Sequence, residues 1–490
     1  MAITHGTAAE IRAKLGHPVI DCDGHVLEFE PAVFDYVRDV GGAEVAKRLG
    51  TSNINAIRAA KSRSEIRDER VFQPPWWGFP ARNTYDRATA MFPKLLHERL
   101  PELGIDFAVV YPTSGLGFPH IGDDEVRLAT CRAFNRYHAE IFARYGDRIT
   151  PAAVIPMHTP AEAIDELEYA VKGLGLKVVM LAGFVRRPIP AAARQSPDAA
   201  RFAFWLDFFG LDSEYDYDPV WAKCIELGVA ATFHSSLNGI PPRTSISNNM
   251  YNNTGQLAAA CDAVCKSLFM GGVTRRFPKL NFVFLEGGVG WACVLYNDMV
   301  SRWSKRNGRV IQELNPANVD LELLTDLAHR YGERIIEGRF DRLDESRVLR
   351  LINSEPRGPL DDWANCKIET SQEISDLFAR PFYFGCEADD PINAWAFNSA
   401  ANPFGSRLNI VFGSDIGHWD VPDMSAVVEE ACELVERGLL SDDDLCDFLF
   451  ANPVRLWTGM NPDFFNGTAV ESDVAKLLAR EARTHGGAVN

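Results

Sequence analysis

The chain is short of most features that would place it outside the ordinary enzyme-sized globular class. No stretch approaches the roughly 20 consecutive apolar residues that cross a bilayer, so no membrane span is expected. The first residues, MAITHGTAAEIRAKLGHPVID, lack the apolar core of a signal peptide. Ten cysteines are scattered through 490 residues, none of them in a CxxC pair. That spacing argues against a thiolate zinc site and for reduced thiols in the cytoplasm. Cations are outnumbered: 50 Lys and Arg stand against 67 Asp and Glu, for a formal net charge of −17. Nucleic acid and anionic membrane surfaces, which need clustered Lys and Arg, are therefore excluded as expected partners. No GxGxxG follows the first apolar run, so an open dinucleotide-binding sheet loses its main support. There is no Gly/Ser-rich linker, internal repeat or low-complexity segment.

What is present is an alternation of helical patterns with short, nearly continuous apolar runs, the pattern of parallel strands buried on both faces. Eight runs qualify: 19–23, 105–111, 150–155, 176–181, 229–233, 280–285, a weaker one at 381–384, and 408–412. Between them, Thr159-Pro160-Ala161-Glu162 starts a helix with an N-cap, a first-turn Pro and a Glu three residues on, and Gly173 stops it. A second helix opens at Asp218-Pro219 and stops at Gly228. A third is expected from about Met424 to Arg437 with Asp423 as N-cap. The expected fold class is α/β, a (β/α)8 TIM barrel with two long insertions. We expect an N-terminal extension over 1–17, the barrel over 18–460 with insertions at about 28–104 and 297–380, and a C-terminal extension over 461–490 whose last twenty residues fray.

In such barrels the chemistry sits at the carboxyl ends of the strands. The first run ends in Asp21-Cys22-Asp23-Gly24-His25, where alternation sends Asp21, Asp23 and His25 the same way. The fifth run ends at His234, the sixth at Glu286, and the eighth at Gly413-Ser414-Asp415, followed by His418. Singly, each has an ordinary structural explanation: a solvated strand end, a core histidine satisfied by backbone, an ion pair, an N-cap. Together, Asp and His residues end strands one, five and eight of one barrel. Carboxylate and imidazole ligands suit one divalent ion: Zn²⁺ foremost, with Mn²⁺ or Fe²⁺ as alternatives. The expected metal ligands are Asp23, His25, His234 and Asp415. Asp415, Glu286 and His418 are the candidate acid–base residues, acting with a metal-activated water. Substrate contacts are less legible. Trp76, Trp77, Arg82 and Arg87 in the first insertion, and Trp291 after the sixth strand, are candidates, while packing or solvent exposure explains each equally well. Glu387, Asp389 and Asp390 follow the seventh run at a plausible rim.

These residues carry a likeness. Ile20-Asp21-Cys22-Asp23-Gly24-His25-Val26-Leu27-Glu28, Gly104-Ile105-Asp106, Thr232-Phe233-His234, Arg276-Phe277-Pro278-Lys279-Leu280, Gly413-Ser414-Asp415-Ile416-Gly417-His418 and Asn452-Pro453-Val454-Arg455-Leu456 together resemble the amidohydrolase superfamily. The resemblance is to its amidohydrolase-related group, which includes aminocarboxymuconate-semialdehyde decarboxylase and γ-resorcylate decarboxylase. It implies the same four metal ligands and a homodimer or tetramer. It also implies a histidine at the end of strand six, where this chain has Glu286, and more often His-x-His or Glu-x-His where this chain has Asp-x-His. Two enzymatic readings follow. One is a metal-dependent hydrolase of an amide, ester, lactone or activated C–C bond in a small aromatic or unsaturated acid. The other is a non-oxidative, metal-dependent decarboxylase, which the missing histidine disfavours. A non-catalytic binding barrel would have lost the ligand set, and this chain keeps all four positions.

Overall fold

The apolar runs become strands because each offers side chains to two buried layers at once. The computed structural model describes residues 6–51, 54–75, 82–196, 198, 202–241, 243–345 and 360–486. Its strands are β1 (Ile20–Val26), β2 (Phe107–Pro112), β3 (Ile149–Ile155), β4 (Val178–Leu181), β5 (Val185–Pro188), β6 (Phe204–Asp207), β7 (Ala231–Phe233), β8 (Phe282–Phe284), β9 (Phe382–Glu387) and β10 (Asn409–Gly413). Eight of them form one sheet in the order β1-β2-β3-β4-β7-β8-β9-β10. Every neighbouring pair in it is parallel. All eight expected strands are present, displaced by a few residues at most. The antiparallel pair β5–β6, a hairpin following β4, was not foreseen.

Alternate residues serve alternate layers. Val109 and Tyr111, Ala152 and Val154, Val178 and Met180, Val283, Tyr383 and Val411 share one buried cluster. Their neighbours Val110, Ala153, Val179, Phe282, Phe284, Phe384 and Phe412 pack instead with the surrounding helices. The first set faces the barrel lumen, since the Tyr111 hydroxyl on β2 lies 3.2 Å from Thr232 Oγ1 on the non-adjacent β7. The ends of the sheet are joined by main chain: Asp415 N–H donates to Asp23 O (3.0 Å) and His25 N–H to Ile416 O (2.9 Å). The sheet is thereby a nearly closed (β/α)8 barrel.

The surrounding helices follow their capping signals. Thr159 Oγ1 accepts from Glu162 N–H at the start of Pro160–Glu168. Gly228 closes Asp218–Leu227 in the left-handed region (φ 67°). The helix expected from Met424 starts later, at Val427, and ends at Glu436. Asp423 caps a turn at Ser425 instead, and Met424 N–H is bound by Asp86, so the chain is pinned before it can coil. The last twenty residues do not fray as expected: Glu471–Gly486 is a helix whose Val474 and Leu477 are buried, and 487–490 lie outside the described residues. Residues 8–14 also form a helix, held by buried Ile11 and an ion pair from Arg12 to Asp106. No helix among the described residues is long and apolar enough to cross a membrane. All ten cysteines are unpaired.

One buried histidine makes the fold pH-sensitive. His138, on helix Asp124–Phe142, lies wholly inside with Nδ1 bonded to Ala152 O, and burial lowers its pKa from 6.5 to about 4. Between these values the unfolded chain binds a proton at this site that the folded chain does not, so stability falls as pH drops through the window. At pH 5 this one site costs about 2 kcal/mol relative to pH 7. Urea unfolding of His138→Gln should show a flatter dependence between pH 7 and 5. Parallel curves for the variant and the parent would refute this.

Candidate metal centre

The site is built where the two ends of the sheet meet. On β1 the register slips between Asp21 and Gly24, so strict alternation does not hold. Asp23 and His25 turn to the centre as expected, but Asp21 does not join them. Its carboxylate instead accepts from Ser414 N–H (3.0 Å), Ser414 Oγ–H (2.5 Å) and Asp23 N–H (3.1 Å). Burial pushes Asp21 up to about 6 despite these donors. Gly24 is required here because a Cβ would come within 2.6 Å of Asp21 Oδ2.

Ligand atoms of Asp23, His25 and His234 lie within 4.8 Å of one another, and Asp415 adjoins this trio through His25. His25 Nε2 and His234 Nε2 are 3.1 Å apart. His25 Nε2 is 3.6 Å from Asp23 Oδ1 and 3.5 Å from Asp415 Oδ1, and His234 Nε2 is 3.5 Å from Asp23 Oδ1. Ligands about 2.1 Å from one ion in tetrahedral array would stand about 3.4 Å apart. Nδ1–H of His25 donates to Pro112 O (3.1 Å), which leaves the Nε2 lone pair directed inward. Asp23 Oδ1 and both Asp415 oxygens are buried without a well-aligned hydrogen-bond donor among the described residues. Burial, and then neighbouring carboxylates, push Asp415 well above the usual range. Asp23 is pushed up too, by burial against the opposing pull of His234. Burial and the two neighbouring histidines hold His25 well below its ordinary value. Buried carboxylate oxygens packed this way, with imidazole nitrogens aimed among them, fit a divalent cation.

Glu286 follows the sixth barrel strand, β8. Leu285 before it faces the lumen, so regular alternation would send Glu286 outward. A left-handed backbone (φ 55°) re-aims it, and Oε2 comes 3.1 Å from His234 Nε2. Asp415 also has positive φ (49°). Ligand atoms of His25, Glu286, Asp415 and His418 all lie within 4.8 Å of one another. His418 stacks on His25 at 3.7 Å, with Nδ1 2.6 Å from Asp415 Oδ1 and Nε2 3.2 Å from Thr113 Oγ1. Beside Glu286 opens a hollow of about 520 Å³, rimmed by Glu387, Asp389, Asp390, Trp419 and Asp420. Glu387 is pushed up to about 8 by burial and these acids.

The chain belongs to the amidohydrolase family. Residues 20–311 match that family's model. One curated relative of this amidohydrolase is a 2-keto-4-carboxy-3-hexenedioate hydratase from Sphingobium sp., 24% identical over 193 residues, which are 39% of this chain and 49% of the relative. The match thus spans about half the length of that relative. A dihydroxybenzoic acid decarboxylase from Polaromonas sp., solved with bound manganese and 2-nitroresorcinol, is 15% identical over 92% of this chain and 99% of its own, with a TM-score of 0.49. A 5-carboxyvanillate decarboxylase from Novosphingobium aromaticivorans is 12% identical over 91% and 98%, with a TM-score of 0.48.

The expected substrate contacts fare less well than the ligands. Trp76 and Trp77 lie outside the described residues. Arg82 and Arg87 are solvent-exposed. Trp291 is corrected from substrate contact to packing. It lies in the first turn of the helix Gly290–Arg306, and its ring meets Phe284 and Phe384 edge-on in the outer layer. Sequence reasoning missed Ser414 and Thr113 as supports. The hydroxyl one residue before the eighth-strand aspartate was the available signal for the first, and none marked the second.

The bonds from Asp21 hold two ligand strands in place. Asp21→Ala should cost about 1–3 kcal/mol of stability and weaken metal binding about 10–100-fold. Chelator competition and urea unfolding measure the two effects. Unchanged metal affinity in a folded variant would show that the seam is not needed for the site.

Proposed function

We propose that this amidohydrolase is a mononuclear metal-dependent hydrolase acting on a small acid substrate, with Asp23, His25, His234 and Asp415 as the ligands and zinc as the foremost candidate ion. The observation that carries the reading is the pair of carboxylates, Asp415 and Glu286, brought within 4.8 Å of each other beside the histidines by two left-handed strand ends. A divalent ion held there polarises a substrate carbonyl and lowers the pKa of a water toward about 7. Asp415 is placed to take the proton of the attacking water. His418, packed on His25 and touching both Asp415 and Thr113, fixes the aspartate's orientation. Glu286, on the open side next to the hollow, is placed to hand a proton to the leaving group.

The same two carboxylates serve addition of water to a conjugated double bond, and one sequence relative is named a hydratase. Non-oxidative decarboxylation is the competing reading. It needs an acid that protonates the carbon bearing the carboxylate, a task Glu286 could take up where family members use a histidine. Product analysis on a panel of esters, amides, unsaturated acids and phenolic acids separates the three. Hydrolysis without CO₂ supports the proposal, and hydration of a double bond or stoichiometric CO₂ release overturns it. Glu286→Gln should retain the metal while losing about 10²–10⁴ in kcat. His234→Ala should lose metal and turnover together, and full activity in that variant would sink the metal-dependent reading altogether.

A further inference from the structure

The rim beside Glu286 is acidic, so an acid substrate must be held from elsewhere. The opposite side of the mouth is built by the segments after β2, β3 and β4. There β5 leaves β4 after three residues and pairs with β6, and its two arginines part company. Arg187 is consumed by structure: it bonds Asp207 (3.1 Å), His158 O (2.8 Å) and the Tyr217 hydroxyl (3.0 Å), and that hydroxyl in turn reaches Met157 O. These bonds root the hairpin on the loop at the carboxyl end of β3.

Arg186 points to the other face, as strand alternation requires. Among the described residues it forms no ion pair, and its guanidinium rests over the Phe204 ring at 5.4 Å. It reaches solvent, yet the protein crowds it enough to lower its pKa. Phe184, two residues earlier on the same face, packs against His120 at 4.7 Å. His120 Nε2 lies 3.2 Å from Ser235 Oγ, and that oxygen also accepts Gly183 N–H at 2.7 Å. Ser235 directly follows the ligand His234. A short bonded path therefore links the Arg186 face to the metal centre. Burial and the nearby Arg186 charge keep His120 neutral, with its pKa lowered to about 4, so the arginine's charge is not answered by that ring.

We infer that Arg186 is the specificity-determining residue for the substrate's carboxylate, gripping it on the β4 side of the mouth while the reacting bond lies toward Glu286 and Asp415. This rests on the acid-substrate reading above and gives the carboxylate contact to a residue that the sequence pattern had not marked. A planar guanidinium with free donors can bind a carboxylate through two parallel hydrogen bonds.

The test is calorimetric titration of the zinc-loaded full chain with benzoate and with its neutral isostere benzamide. Benzoate should bind the parent and weaken at least about tenfold in Arg186→Gln, while benzamide binding is the same in both. Arg186→Lys keeps the charge and loses the fork, and should fall between them; it decides the matter if the Gln variant fails to fold. Equal benzoate affinity in parent and variant, or no benzoate binding to the parent, overturns the inference. Zinc content of the same samples reports separately on the metal reading. Absent zinc with Arg186-dependent benzoate binding would sink that reading and leave this one standing.

Discussion

The seam between the first and last strands of the barrel is the constraint on which the rest of this molecule depends. Two main-chain hydrogen bonds, Asp415 to Asp23 and His25 to Ile416, are the ones that bring β1 and β10 together. Three of the four residues exchanging them, Asp415, Asp23 and His25, are themselves ligand candidates. Closing the barrel and assembling the site are therefore one event. Asp21 reinforces it from below through Ser414, and Gly24 and Gly413 keep the space in which Asp21 and Asp23 lie. A barrel that opened here would lose the geometry of the centre before it lost any helix.

Electrostatics makes the seam demanding. Asp23, Asp415 and Glu286 bring three carboxylates into a space closed to water on most sides, and desolvation pushes the two aspartates up. Without a cation such a cluster opposes its own formation. With one, the same repulsion becomes attraction toward a single point. The hydrogen bond from His25 to Pro112 belongs to the same logic, since only the tautomer protonated at Nδ1 offers a lone pair at Nε2.

How much of this was legible in the sequence varies with how local the cause is. The eight strands could be read because parallel strands buried on both faces must be apolar throughout, and helix boundaries such as Thr159 and Gly228 could be read because capping is a contact within a few residues. The candidate ligands Asp23, His25, His234 and Asp415 could be singled out because strand ends are where apolar runs stop. What could not be read was set by distant partners. Met424 is pinned by Asp86, 338 residues away, so the following helix starts late. Asp21 left the shared face because a bulge and Ser414, 393 residues away, claimed it. For Trp291 the sequence left packing and substrate contact both open, and its distant ring partner Phe384 decides for packing.

Glu286 shows why one backbone angle can matter more than residue type. By alternation it belongs outside the barrel, packed among Phe284 and the outer helices, where an ionised carboxylate would be costly. The left-handed turn, followed by Gly287 and Gly288, brings it inside against His234. A non-glycine residue holds such a conformation only when its surroundings over-determine it, and here the His234 contact and the tight turn do so. The family resemblance implies a histidine at this strand end, and a histidine there would donate its proton as the imidazolium and be left neutral. Glutamate presents an anion beside an already acidic rim, so it favours steps in which a proton is first accepted near the ion and then delivered onward. Water addition and bond hydrolysis make that demand, so the proposed hydrolytic reading rests on the shape of this one turn more than on the ligand set.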